Sequence, residues 1–137
     1  MPGKYAITLA RSSVEQFLTY SARRDLREKA FAAWIARGEH DGANDNRPIA
    51  AETLRLRDES ARMLGYPSYA HFKLADQMAK TPENVRALLE KVWTPAKAAA
   101  ARDRDELQKL VAAEGGNFAI AAHDWRYYAE KLRKANY

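Results

Sequence analysis

At 137 residues, 47% apolar and 30% charged, the chain has the size and balance of one globular domain, which excludes a disordered segment. No apolar run approaches the roughly 20 residues that a bilayer span needs, and with no cysteine the chain can form neither disulfides nor thiolate zinc sites nor a cysteine nucleophile. Its formal charge of +5 comes from 23 basic residues interleaved with 18 acidic ones, which reads as a solvated mixed-sign surface rather than a polyanion-binding stripe.

Tyr5, Ile7 and Leu9 alternate with Lys4, Ala6 and Thr8, so residues 4–10 predict a short strand that would need a partner. Ser12 or Ser13 is a plausible cap for a helical face that begins at Val14, Phe17 and Leu18. Leu26, Ala30 and Trp34, flanked by Phe31 and Ile35, continue that face until Gly38, giving two helical pieces over residues 13–37. Pro48 suits the first turn of the next helix, with Asn46 or Arg47 as its cap. Ile49, Thr53, Leu56, Ser60 and Met63/Leu64 form its stripe, and Gly65 can take the left-handed conformation that ends it.

Ser68 reads as the cap of a helix over residues 69–79, with Tyr69, Phe72, Ala75 and Met78/Ala79 on one side. Thr81, Pro82 and Glu83 supply cap, first-turn proline and acidic first turn, followed by Val85, Leu88, Leu89, Val92 and Trp93 at helical spacing. Pro95 should kink or restart this helix, because an interior proline loses one hydrogen bond and clashes one turn back; an alanine-rich helix over residues 96–113 would follow. Residues 114–117 read as a turn, and Asp124 as the cap of a last helix on which Trp125, Tyr128, Ala129 and Leu132 share a face. The expected fold is a single all-α domain over residues 1–137, a bundle of six to seven helices with a short N-terminal strand at most.

The polar stretch from Gly38 to Ile49 can be tested as a calcium loop. With Asp41 first, Asp45 and Glu52 fall at the fifth and twelfth positions, but Ala43 stands third, Asn46 replaces the glycine needed sixth, and Pro48 interrupts. A helix connection whose Asp and Asn side chains bond nearby N–H groups fits better. His40, His71 and His123 are 31 and 52 residues apart, so no pair lies one helical turn apart as a zinc site of the H-E-x-x-H kind requires. Ser12, Ser13, Ser60 and Ser68 sit in no nucleophile motif, and Gly115–Gly116 supports only a turn. Trp125, Tyr127 and Tyr128 around Arg126 could stack on a flat ligand, but core packing of Trp125 and Tyr128 with Tyr127 at the rim accounts for them more simply. No catalytic, cofactor-binding or metal-ligating residue is assigned.

Several stretches nevertheless carry a likeness. Arg27 to Ala30 with Arg37–Gly38, Asp45–Asn46 with Ile49, the run from Leu54 to Val85, and Asp124 to Tyr128 together resemble the thimet oligopeptidase family of zinc metallopeptidases, nearest the bacterial peptidyl-dipeptidase and oligopeptidase A type. The most specific parts are Ala61 to Tyr66, Met78 to Pro82 and the Trp-x-Tyr-Tyr element at Trp125. The resemblance implies hydrolysis of short peptides by a zinc-activated water in a full-length enzyme. It also implies that this stretch lies upstream of the H-E-x-x-H helix, so no ligand, base or oxyanion donor is carried over and no cofactor is expected in this chain.

The leading expectation is therefore a non-catalytic helical segment of a cytoplasmic oligopeptide-cleaving enzyme, partnered by the rest of that polypeptide. A stand-alone helical interaction module is the alternative, and weak nucleic-acid binding, resting on charge alone, is the third. Helices made to pack against other parts of an enzyme leave apolar faces uncovered, so the isolated chain is expected to self-associate through the Trp93 or Trp125 face.

Overall fold

In the computed structural model, which describes Gly3 and residues 5–136, six helices follow one another: α1 (Arg11–Tyr20), α2 (Arg24–Ile35), α3 (Arg47–Met63), α4 (Tyr69–Leu74), α5 (Pro82–Ala113) and α6 (Ala122–Asn136). The all-α expectation holds. The chain divides into two compact units, one of Met1–Arg37 with Ala100–Tyr137 and a second of Gly38–Ala99. None of the helices is long and apolar enough to cross a membrane.

The first unit contains the apolar core. Helices α1, α2 and α6 pack on one another, and Val14 and Leu18, four residues apart on α1, are buried as their spacing requires. Leu107 and Val111, near the end of α5, form a buried cluster with Tyr128 of α6, and Phe118, Ile120, Trp125, Ala129 and Leu132 close around it. The helix-six face read from the sequence is thus the packed one, and Tyr127 borders the same cluster. Helix α5 ends where the two glycines permit it. Gly115 takes φ +77°, and the N–H groups of Gly115 and Gly116 reach back to the carbonyls of Ala112 and Val111 at 3.0 and 2.8 Å, satisfying carbonyls the helix leaves free.

Several local expectations for this unit are corrected. Residues 5–8 belong to no strand: Tyr5 is 97% exposed, and no neighbouring segment pairs with it among the described residues. Lys4 lies outside the described residues. Helix α1 starts at Arg11 with Ala10, not Ser12 or Ser13, in the extended cap position, while the Ser13 hydroxyl accepts a hydrogen bond from the Thr8 N–H at 3.3 Å. On α2 the expected apolar stripe is partly outward, with Ile35 60% exposed, and the one buried residue is Arg27.

In the second unit, among the described residues, Ala61 alone is buried. The connection from Gly38 closes on itself: the Asn46 N–H donates to the Gly38 carbonyl at 2.8 Å, and Glu39 and Asp45 form an isolated bridge. At the N-terminus of α3 the Asp45 side chain bonds a free N–H as expected of this loop, whereas neither Asn46 nor Arg47 acts as the side-chain cap. Asp45 Oδ1 accepts the Arg47 N–H at 3.0 Å, while Asn46 makes no side-chain cap bond and Pro48 stands in the first turn. The α3 stripe is not covered, with Ile49 65%, Met63 83% and Leu64 60% exposed. Gly65 takes φ +85°, as its place after the helix predicts.

Ser68 caps α4 as expected, accepting the His71 N–H at 3.4 Å. The helix then stops at Leu74 instead of reaching Met78, which is 99% exposed in the turn that follows. Tyr66 and Tyr69 pack edgewise or tilted on Phe72, and the Arg57 guanidinium lies 5.4 Å above the Tyr69 ring, tying α4 to α3. At α5 the Thr81 hydroxyl accepts the Asn84 N–H at 3.3 Å, fulfilling the predicted cap. The helix is not restarted at Pro95 but runs through it as one element of 32 residues. Proline forfeits one amide donor, and two long helical stretches on either side hold the geometry.

Candidate functional site

The strongest constellation of polar groups lies in the first unit, where α2 meets the start of α6. Asp124 is the third residue of α6, not its cap, and its Oδ2 reaches back to accept the Ala121 N–H at 3.1 Å, supplying the orphan donor just before the helix. Its carboxylate is wholly buried and takes two guanidinium groups. Arg27, 1% exposed, donates from Nη2 to Oδ1 at 2.7 Å, and Arg24 donates from Nε to both oxygens at 3.1 Å and from Nη2 to Oδ2 at 3.0 Å.

Two further donors of Arg27 are placed, Nη1 on the Ser21 carbonyl at 2.7 Å and Nε on the His123 carbonyl at 3.3 Å. Both guanidinium carbons lie over aromatic rings, Arg24 Cζ over Phe118 and Arg27 Cζ over Tyr127, each at 4.2 Å from the ring centre. Burial is the largest single influence on the Asp124 carboxyl and pushes it upward, but the hydrogen bonds from Arg24, Arg27 and the Ala121 N–H together outweigh it and hold the group below its ordinary 3.8. Such a carboxylate is a poor proton acceptor: it stays ionised, and its lone pairs are committed to donors inside the chain. It is a clamp between α2 and α6, and neither a base nor a nucleophile.

The histidines are not assembled around it. His123, 9% exposed, is beside the clamp with Nε2 at 3.6 Å from Asp124 Oδ2 and without a hydrogen-bond partner. His71 belongs to the second unit, where its Nδ1 sits 2.8 Å from the Ser68 hydroxyl, and His40 is exposed in the loop before α3. The zinc ion implied by the resemblance therefore finds no fitting ligand set here, and among the described residues no group of three or more His, Asp or Glu side chains could hold a metal ion. The loop carboxylates are spent similarly: Arg47 Nη2 binds Asp41 at 3.0 Å and Arg47 Nε binds Asp45 at 2.9 Å, which holds the Asp45 carboxyl below its ordinary range. Trp125, Tyr127 and Tyr128 pack in the core cluster, and Tyr127 also lies under the Arg27 guanidinium of the clamp.

Residues 17–137 match the family described as Peptidase family M3. The chain belongs to this family. Over 134 residues it is 34% identical to the dipeptidyl carboxypeptidase of Salmonella typhimurium, covering 98% of this chain and 20% of that protein. The dipeptidyl carboxypeptidase of Escherichia coli is 33% identical over 137 residues, with 100% of this chain and 20% of that protein covered. Oligopeptidase A of Salmonella typhimurium is 33% identical over 137 residues, covering 97% and 20%. The chain spans about a fifth of the length of the curated relatives it matches. Within this M3 segment the residues that sequence reasoning missed are Arg24 and Arg27. Their signal was spacing: two arginines three apart place both guanidinium groups on one helix face, where a single carboxylate can take them together.

Proposed function

We propose that this chain is a non-catalytic helical segment of a zinc-dependent oligopeptidase or peptidyl-dipeptidase. The observation that carries the reading is the match of residues 17–137 to peptidase family M3 in a chain that spans about a fifth of relatives named dipeptidyl carboxypeptidase and oligopeptidase A. The polar clusters support it, because Asp124, Asp41 and Asp45 are engaged with arginines of the chain itself. On this reading the partner is the remaining peptidase polypeptide, the substrates of the whole enzyme are short peptides, its zinc is held outside these 137 residues, and its setting is the cytoplasm. The clamp of Arg24 and Arg27 on Asp124 then serves to fix the angle between α2 and α6 in the helical body of the enzyme.

A chimera tests this. The matched fifth of the Salmonella typhimurium dipeptidyl carboxypeptidase is replaced by this chain, and zinc content and cleavage of a quenched short peptide are measured. Turnover within about tenfold of the parent is expected. A folded chimera with the parent's zinc content but no cleavage overturns the proposal. A second reading, a stand-alone helical interaction module without enzymatic activity, draws on one observation, the uncovered apolar stripe along the first half of α5.

A further inference from the structure

Two apolar stripes lie bare in the second unit. On α3, Ile49, Leu56 and Met63 recur every seven residues and all three are exposed. On the first half of α5, Val85, Leu88, Leu89, Val92 and Trp93 recur at helical spacing, and no residue from 82 to 99 is buried. Among the described residues α3 packs on α4, and α3 and α5 are not packed on one another, so neither stripe covers the other. Acidic and basic residues are equal in number between Gly38 and Ala99, and Glu83, Arg86, Glu90 and Lys91 mix both signs beside the α5 stripe. Such a surface has no electrostatic pull toward a polyanion or an anionic lipid layer, and its ridges suit protein helices of the same apolar pattern.

We propose that both stripes are packing surfaces for helices of the remaining peptidase polypeptide, an assignment that rests on the reading of the chain as a segment of such an enzyme. Length and burial select this occupant. Each of the three relatives is matched over 20% of its length, so about four fifths of each is polypeptide without a counterpart in these 137 residues. The family match runs through residues 17–137 and therefore through both stripes. The second unit buries Ala61 alone among its described residues, so its stripes stand where a folded unit needs its core. Covalently joined polypeptide supplies that cover at every protein concentration. A second copy does so only when concentrated, and a twofold dimer buries one self-complementary patch per copy, which two stripes on helices not packed together do not make. From Val85 to Trp93 the α5 stripe runs for nearly three helical turns, and the helix seated on it needs about the same length.

Amide hydrogen exchange tests the assignment, measured in the chimera described above and in the 137-residue chain alone. Residues 47–63 and 82–96 should exchange at least about tenfold more slowly in the chimera. Leu89→Glu should return residues 82–96 of the chimera to at least the rate of the chain alone, and Leu56→Glu should do the same for α3. Both substitutions should leave the far-ultraviolet circular dichroism of the chain alone unchanged, because both side chains are exposed there. Tyr5→Glu, at an exposed residue outside the family match, should leave the chimera's exchange unchanged. For a chimera that does not fold, the remaining parental polypeptide, expressed separately, should retain the 137-residue chain and release it with Leu89→Glu. Equal exchange in chimera and chain overturns the proposal, and so does the absence of retention or retention indifferent to Leu89→Glu. Protection in the chain alone that rises with its concentration overturns it as well, in favour of a second copy. The underlying reading fails differently, as a folded, zinc-loaded chimera that protects both stripes and cleaves nothing.

Discussion

Removing the Asp124 carboxylate strands two guanidinium groups, and that of Arg27 is buried with no route to water. Breaking a buried ion pair from one side costs about 3–5 kcal/mol, so Asp124→Ala should lower the urea midpoint of the chain by a corresponding amount. The same carboxylate sets a pH dependence. Its folded value lies below the ordinary 3.8, so the clamp contributes its full stability above that value and loses it as pH falls through the depressed folded value. Acid titration followed by circular dichroism should show stability draining below about pH 4 in the native chain and a shallower loss in Asp124→Asn. At this scale the sequence was hard to read. Arg27 sits where an amphipathic helix ordinarily shows a solvated charge, and only the partner almost a hundred residues away makes its burial affordable.

At the scale of elements, the starts and stops announced by local chemistry were legible. Ser68, Thr81, Gly65 and Gly115 each do what their backbone and side-chain preferences dictate. Elements that depend on distant partners were not. Residues 5–8 have strand-like alternation but no edge to join, and α4 stops at Leu74 although apolar spacing continues to Met78. Asp124 was read as a cap because caps and third-position carboxylates both favour Asp, and only the helix start at Ala122 separates them. The end of α5 offers a sharp test. A Cβ at Gly116 would stand 2.7 Å from Val111 Cγ1 and 2.9 Å from the Val111 carbonyl oxygen, the very atom its N–H must bond. Gly116→Ala should therefore lower stability by about 2 kcal/mol, read from thermal unfolding.

Across the whole molecule, burial is uneven. Val14, Leu18, Leu107, Val111 and Tyr128 all belong to the first unit, whereas the second unit buries Ala61 alone among its described residues. Amide hydrogen exchange should follow that division, with α3 and the first half of α5 exchanging at least tenfold faster than α1, α2 and α6. The helical class was open to reading from the sequence, because helical periodicity is a local property. The uneven core was not: Ile49, Leu56 and Met63 have core periodicity and yet face outward, since a stripe records that a surface is to be covered and not what covers it. Their exposure accords with a chain that spans about a fifth of the length of its curated relatives. The most direct measurement is zinc content together with cleavage of a quenched short peptide by the purified 137-residue chain. Neither bound zinc nor turnover is expected, whereas one equivalent of zinc with chelator-sensitive cleavage would contradict a non-catalytic role.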